Sequence, residues 1–160
     1  MAGYGAGDVR LSIEVEGEKQ LTARVKGVID RTKDLRPVFD ELEADFREHM
    51  GEVFGSEGAA QKGGKWQALS PRYAAWKARH YPGRPILERT GALKDSLTTG
   101  LTVEKGPGEM TLSSAVRYGI YHQSRRPRKS NLPRRPIINL PQSVTTRWRA
   151  MLVRALWQEE

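Results

Sequence analysis

The sequence predicts an α+β fold: a small, mainly antiparallel sheet packed with helices, with a long N-terminal helical region and a C-terminal helix. Three observations carry this expectation. Apolar and polar residues alternate over 9–16 and again over 101–112, the period of two that marks half-buried strands. Phe39, Leu42, Phe46, Met50 and Val53 recur at the spacing of one helix face. Val144, Trp148, Met151, Leu152 and Ala155 repeat that pattern near the C-terminus. The resulting order is β-α-α-α-β-β-α, and helices laid on a small sheet bury such faces.

Residues 1–7 are glycine-rich and expected to form a loose, flexible N-terminus. Val9, Leu11, Ile13 and Val15 then alternate with polar residues in a strand that Gly17 ends. Leu21, Val25, Val28 and Thr32 form a helical stripe, weakened by Gly27 at a cost of about 1 kcal/mol relative to alanine. Asp34 is the expected N-cap of the next helix, with Pro37 in its first turn and Gly55 closing it. Its acidic residues Glu41, Glu43, Asp45, Glu48 and Glu52 lie mostly off the apolar stripe.

Residues 55–65 are expected to be a flexible, exposed connection, after which Trp66 packs down. Ser70 caps and Pro71 opens a short helix that Tyr81-Pro82-Gly83 stops. Thr90 caps a further short segment carrying Leu93 and Leu97. Leu101 and Val103, then Met110 and Leu112, flank Gly106-Pro107-Gly108 as a β-hairpin. Residues 115–121 suit either a short helix or a strand. Residues 123–136 are expected to be an exposed loop, Ile137 and Ile138 return to the core, and Pro141 begins the last helix. No repeat or interdomain linker is visible, so residues 1–160 are expected to form a single domain.

Composition narrows the function. The apolar fraction of 38% is low for a compact monomer and suits a flat or oligomer-dependent structure. With no cysteine, disulfides and thiolate metal sites are excluded. The N-terminal residues lack the basic and apolar regions of a signal peptide, and no apolar run approaches the roughly 20 residues that span a bilayer. A soluble protein assembled in the cytoplasm, with no membrane contact, is expected. Residues 1–60 carry a net charge of −5 and residues 61–160 a net charge of +13, so the chain is electrically polarised. Such a chain can attract its own copies, an acidic partner or DNA.

No catalytic set is legible. His49 reads as a surface residue, His80 precedes a turn, and His122 suits a hydrogen-bonded structural role. None stands at metal-ligand spacing, and no cofactor is expected. Residues 58–65 superficially suggest a phosphate loop, but Trp66 follows Gly64-Lys65 where Ser or Thr is required. What remains is binding. Arg125, Arg126, Arg128, Lys129, Arg134 and Arg135 suit either carboxylates or phosphates. Neither a recognition helix nor an aromatic stacking platform is seen beside them.

Several motifs stand in a recognisable order over residues 38–158. They are Trp66 and Leu69; Tyr73 and Lys77; Ile86-Leu87; Thr90-Gly91-Ala92-Leu93 with Ser96; Tyr118 with His122-Gln123; and Arg135-Pro136-Ile137-Ile138. This order resembles the phage virion morphogenesis family, which includes the Mu G-like and P2 S-like tail-completion proteins. One departure is Ser124-Arg125-Arg126-Pro127-Arg128-Lys129, where the family carries a glycine-rich link.

The resemblance implies a non-enzymatic structural virion protein in the tail or neck, acting as a tail terminator or head-tail connector. Its implied partners are copies of itself in a homo-oligomeric ring, expected as a hexamer, together with tail-tube and head-side connector or stopper proteins. The acidic side chains Glu41, Glu43 and Glu48 are expected to face basic surface on a neighbour, with Trp66 and Tyr73 in the 61–80 interface. The alternative is nonspecific contact of the basic loop with packaged DNA.

Overall fold

The computed structural model describes residues 17–124 and 132–157. The strand expected over 9–16 and the loose residues 1–7 lie outside these, as do Arg125, Arg126, Arg128 and Lys129. Six helices and one hairpin follow in chain order: α1 (Glu18–Thr32), α2 (Arg36–Gly55), α3 (Pro71–His80), α4 (Ala92–Asp95), β1 (Thr102–Lys105), β2 (Met110–Ser113), α5 (Gly119–Gln123) and α6 (Gln142–Trp157). The α+β architecture is as predicted, and the short stretch after Ser114 resolves as helix α5.

Helix α2 is the spine. Its N-cap is Leu35 rather than Asp34, yet the Asp34 carboxylate still accepts the Arg36 N–H at 3.1 Å. Leu35 N–H in turn donates to Pro107 O at 2.7 Å, tying the helix start to the hairpin turn. The face carrying Val38, Phe39, Leu42, Phe46, Met50, Val53 and Phe54 is buried, as the stripe predicts. His49 is a correction: it is 2% exposed, because its position three residues beyond Phe46 places it on the stripe rather than beside it. Gly55 is the last helical residue and does not close the helix. Glu57 does, left-handed at φ 51°, with its N–H on Phe54 O at 3.1 Å and the Gly58 N–H on Val53 O at 2.7 Å.

Helix α6 runs antiparallel to α2. Asp45 meets Arg147 near the middle of α2, and Glu41 meets Arg154 one turn earlier. Beneath these pairs Val38, Phe39 and Leu42 pack against Met151, Leu152 and Ala155. Trp148 lies 6.4 Å from the Phe46 ring and touches both apolar clusters of the core. The larger cluster joins the C-terminal half of α2 to Trp66, Ile86, Leu93, Leu97, Leu101 and Ile137.

The hairpin pairs Val103 with Leu112 and Lys105 with Met110, antiparallel and in continuous register. Val103 and Leu112 pack on the core, while Thr102, Glu104, Thr111 and Ser113 face solvent. These are the only two strands among the described residues. Helix α1 forms where expected but buries none of its residues. Leu21, Val25 and Ile29 are exposed, and the Arg31 guanidinium on Leu156 O at 2.7 Å joins the helix to α6.

The α2 carboxylates make stability depend on acid. Desolvation pushes Asp45 up, but hydrogen bonds from Arg147 and Trp148 outweigh it and hold the carboxyl below its ordinary range. Hydrogen bonds from Lys105 and then Arg47 lower Glu43 likewise. Groups depressed in the folded state stabilise fully above their unfolded values near 4, and that stability is lost as pH falls through the folded values. The urea midpoint is therefore expected to hold from pH 7 to about 5 and to fall below about 4. Asp45→Asn is expected to cost about 1 kcal/mol at pH 7 and to flatten the acid limb. An unchanged limb in that variant would show that the pair does not contribute.

Candidate functional site

Beyond the C-terminal end of α2 the chain turns through residues 56–69, and this turn is anchored rather than free. Trp66 N–H donates to Glu57 O at 2.8 Å and Lys62 N–H to Asn139 O at 2.9 Å. Gly58 and Gln61 are buried, while 62–65 remain exposed. The expected flexible connection is thus corrected over its first half. The indole fixes it: Trp66 is 4% exposed, meets the Phe54 ring edge-on at 5.5 Å and donates Nε1 to Pro136 O at 2.6 Å. Gln61 donates to the same carbonyl. Trp66, expected both to pack down and to line an interface, is a core residue.

Arg135 is the largest correction among the basic candidates. It was expected in the exposed loop but is 4% exposed, with Nε on Gln67 O at 2.8 Å and Nη2 on Ala68 O at 3.0 Å. Its planar fork suits two successive carbonyls and ties residues 67–68 to the segment that carries it. Its backbone N–H donates to His122 O at 3.1 Å. Gln123 completes the junction: its Oε1 accepts from Ile137 N at 2.7 Å and Ile138 N at 3.0 Å, and its Nε2 donates to Ile138 O at 2.6 Å. Arg134 stays exposed and donates to Gln123 O at 3.3 Å.

Helix α3 forms one wall. Ser70 caps it by accepting from Tyr73 N, and Pro71 stands in its first turn, as predicted. Tyr73 and Trp76 stack at 5.5 Å, and Trp76 and His80 at 4.6 Å. This is an aromatic stack that the sequence reading did not identify, although the i, i+3, i+7 spacing of residues 73, 76 and 80 carries the signal. It runs along α3, with the rings engaged on one another. On the inner side Lys77 is 4% exposed and donates Nζ to Pro85 O. Burial pulls its pKa below the ordinary lysine value, against the pull of Glu57 and Glu88. Glu57, not singled out from the sequence, accepts Ile86 N–H at 3.0 Å and pairs with Lys65 at 3.3 Å.

Between α3, α5 and residues 132–135 lies a cleft of about 320 Å³. Tyr73, Lys77, Arg89, His122, Leu132 and Arg135 line it, over a floor that includes Leu87 and Leu93. Among the described residues, no acidic residue lines it. Every motif that suggested a family resemblance supplies a residue to this cleft or to the packing behind it.

The acidic candidates stand elsewhere, and two of the three are engaged within the chain. Glu41 pairs with Arg154, and Glu43 bridges Arg47 and Lys105, each at 2.6 Å. Glu48 is exposed. Reversing all three charges would therefore strike the fold as well as any interface. Among the described residues no cluster of His, Asp and Glu could hold a metal, and no helix is long and apolar enough to cross a membrane.

Comparison with known proteins gives one match: a model of the phage virion morphogenesis family covers residues 17–156. No curated protein and no solved structure matches.

Proposed function

Because the chain belongs to the phage virion morphogenesis family, we propose that its part in virion morphogenesis is to complete the tail or the neck, by assembling into a ring of identical copies. The observation that supports this best is what the family motifs do here. Arg135, Gln123 and Trp66 spend their polar atoms on backbone carbonyls and amides of distant segments, so they scaffold a surface. The reading assigns no covalent chemistry. An electrically polarised subunit favours head-to-tail contact with its own kind, and head-to-tail contacts can close into a ring.

The DNA-contact alternative would have to act without Arg135, which is committed inside the fold. Sedimentation of the purified chain is expected to show a discrete oligomer at neutral pH, and labelled antibody is expected to mark one end of the tail or the neck. A chain that stays monomeric at high concentration and is absent from particles would overturn the proposal.

A further inference from the structure

Two buried cations line the cleft. Lys77 and Arg135 are each 4% exposed and donate to the carbonyls of Pro85, Gln67 and Ala68, while Glu57 and Glu88 attract Lys77 from outside the cleft lining. A lysine ammonium carries three donors, so donor capacity remains. An anion entering the cleft would meet Lys77 and the exposed Arg89, with no acidic residue in the described lining to repel it. The walls are aromatic and aliphatic. At about 320 Å³ the cleft is at the small end of ligand pockets, the size for a short anchor rather than a folded surface.

Elsewhere the chain carries a segment of matching chemistry. Trp157, the last residue of α6, is 60% exposed, and Gln158-Glu159-Glu160 follow it in sequence. These two glutamates are the only acids after Glu109. We propose that the cleft of one copy receives the Trp157–Glu160 segment of a neighbouring copy, the indole against the apolar wall and a glutamate toward Lys77 and Arg89. This deepens the ring reading and rests on it for its biological setting.

The fold separates the two within one chain. Helix α6 is antiparallel to α2, with Arg154 beside Glu41, so Trp157 lies level with the start of α2, while Leu69, Leu87 and Leu93 of the cleft pack with Phe46, Met50 and Val53 on its C-terminal half. From Val38 to Met50 the helix rises about 18 Å. Residues 158–160 reach at most about 11 Å. Donor and acceptor thus occupy different parts of the subunit, the arrangement that makes contacts heterologous. A DNA backbone is the less suitable occupant, since Lys77 is too deep to follow exposed phosphates.

A labelled peptide of residues 151–160, MLVRALWQEE, tests the proposal against a full-length acceptor whose own tail is disabled by Trp157→Ala, Glu159→Lys and Glu160→Lys. Anisotropy is expected to show salt-sensitive binding. It should weaken at least about tenfold with the Trp157→Ala peptide, with the Glu159→Lys/Glu160→Lys peptide, or with Arg89→Glu or Tyr73→Ala in the exposed rim of the acceptor. Arg89→Glu is expected to recover binding to the reversed peptide. Equal binding of native and reversed peptides, no binding at all, or displacement of the peptide by a short duplex DNA that binds through Arg89 would each overturn it.

Sedimentation separates this from the broader reading. If the tail-disabled chain assembles like the native one, the ring stands and the cleft contact falls. If the peptide binds but the native chain never assembles, the cleft contact stands and the ring falls.

Discussion

Trp66→Ala is expected to lose about 4 kcal/mol of stability, measured by urea denaturation at neutral pH. The loss combines a large buried ring, its edge-on contact with Phe54 and the donor to Pro136 O. A second substitution isolates the packing. A Cβ at Gly58 would stand 2.6 Å from the Trp66 indole, and Gly58 has φ +91°. In the native background Gly58→Ala must displace the indole as well as strain the backbone. With Trp66 already alanine, only the backbone cost of about 1 kcal/mol should remain. The two substitutions therefore couple strongly in a double-mutant cycle. A Trp66→Ala chain as stable as the native one but unable to assemble would return this residue to the interface, where sequence reasoning also placed it.

Arg135→Leu is expected to cost about 3 kcal/mol, because it removes two charge-assisted hydrogen bonds, to Gln67 O and Ala68 O, that join segments far apart in sequence. Far-UV circular dichroism should remain native-like below the transition, since the contact joins two irregular segments rather than a helix. Arg135→Lys is expected to recover only part of the loss, as one ammonium on a flexible stem does not match the two-pronged fork. A stable Arg135→Leu chain with impaired binding to DNA or to a partner would show instead that the guanidinium serves the surface, as the basic loop containing Arg125, Arg126, Arg128 and Lys129 was expected to do.

Much of the secondary structure was legible because its signals are local. The stripe of α2, the Ser70-Pro71 start of α3, the Gly106-Pro107-Gly108 hairpin and the face of α6 each follow from spacing within a few turns. The motif order was legible too and led to the correct family. Burial was not. Arg135 stands in a run of basic residues that reads as solvated surface, and nothing within ten residues shows that two carbonyls near position 67 await it. Glu41 and Glu43 read as a free acidic face because Arg154 and Lys105 are remote in sequence, although Arg47 stands within one turn of Glu43.

Periodicity and capping, then, were enough to specify which segments are helical, where the hairpin lies and which faces of α2 and α6 are apolar. The tertiary structure alone decided which charges are neutralised inside the chain. Arg135 reaches Ala68 across 67 residues and Arg154 reaches Glu41 across 113. A local pattern reports the average exposure of a residue type, whereas desolvation and ion pairing depend on which distant group the packed chain brings within about 3 Å. By the same physics α1 carries an amphipathic stripe and yet lies outside the core. The stripe determines that the helix can bury a face, and only the packing of the other elements determines whether a surface is there to receive it.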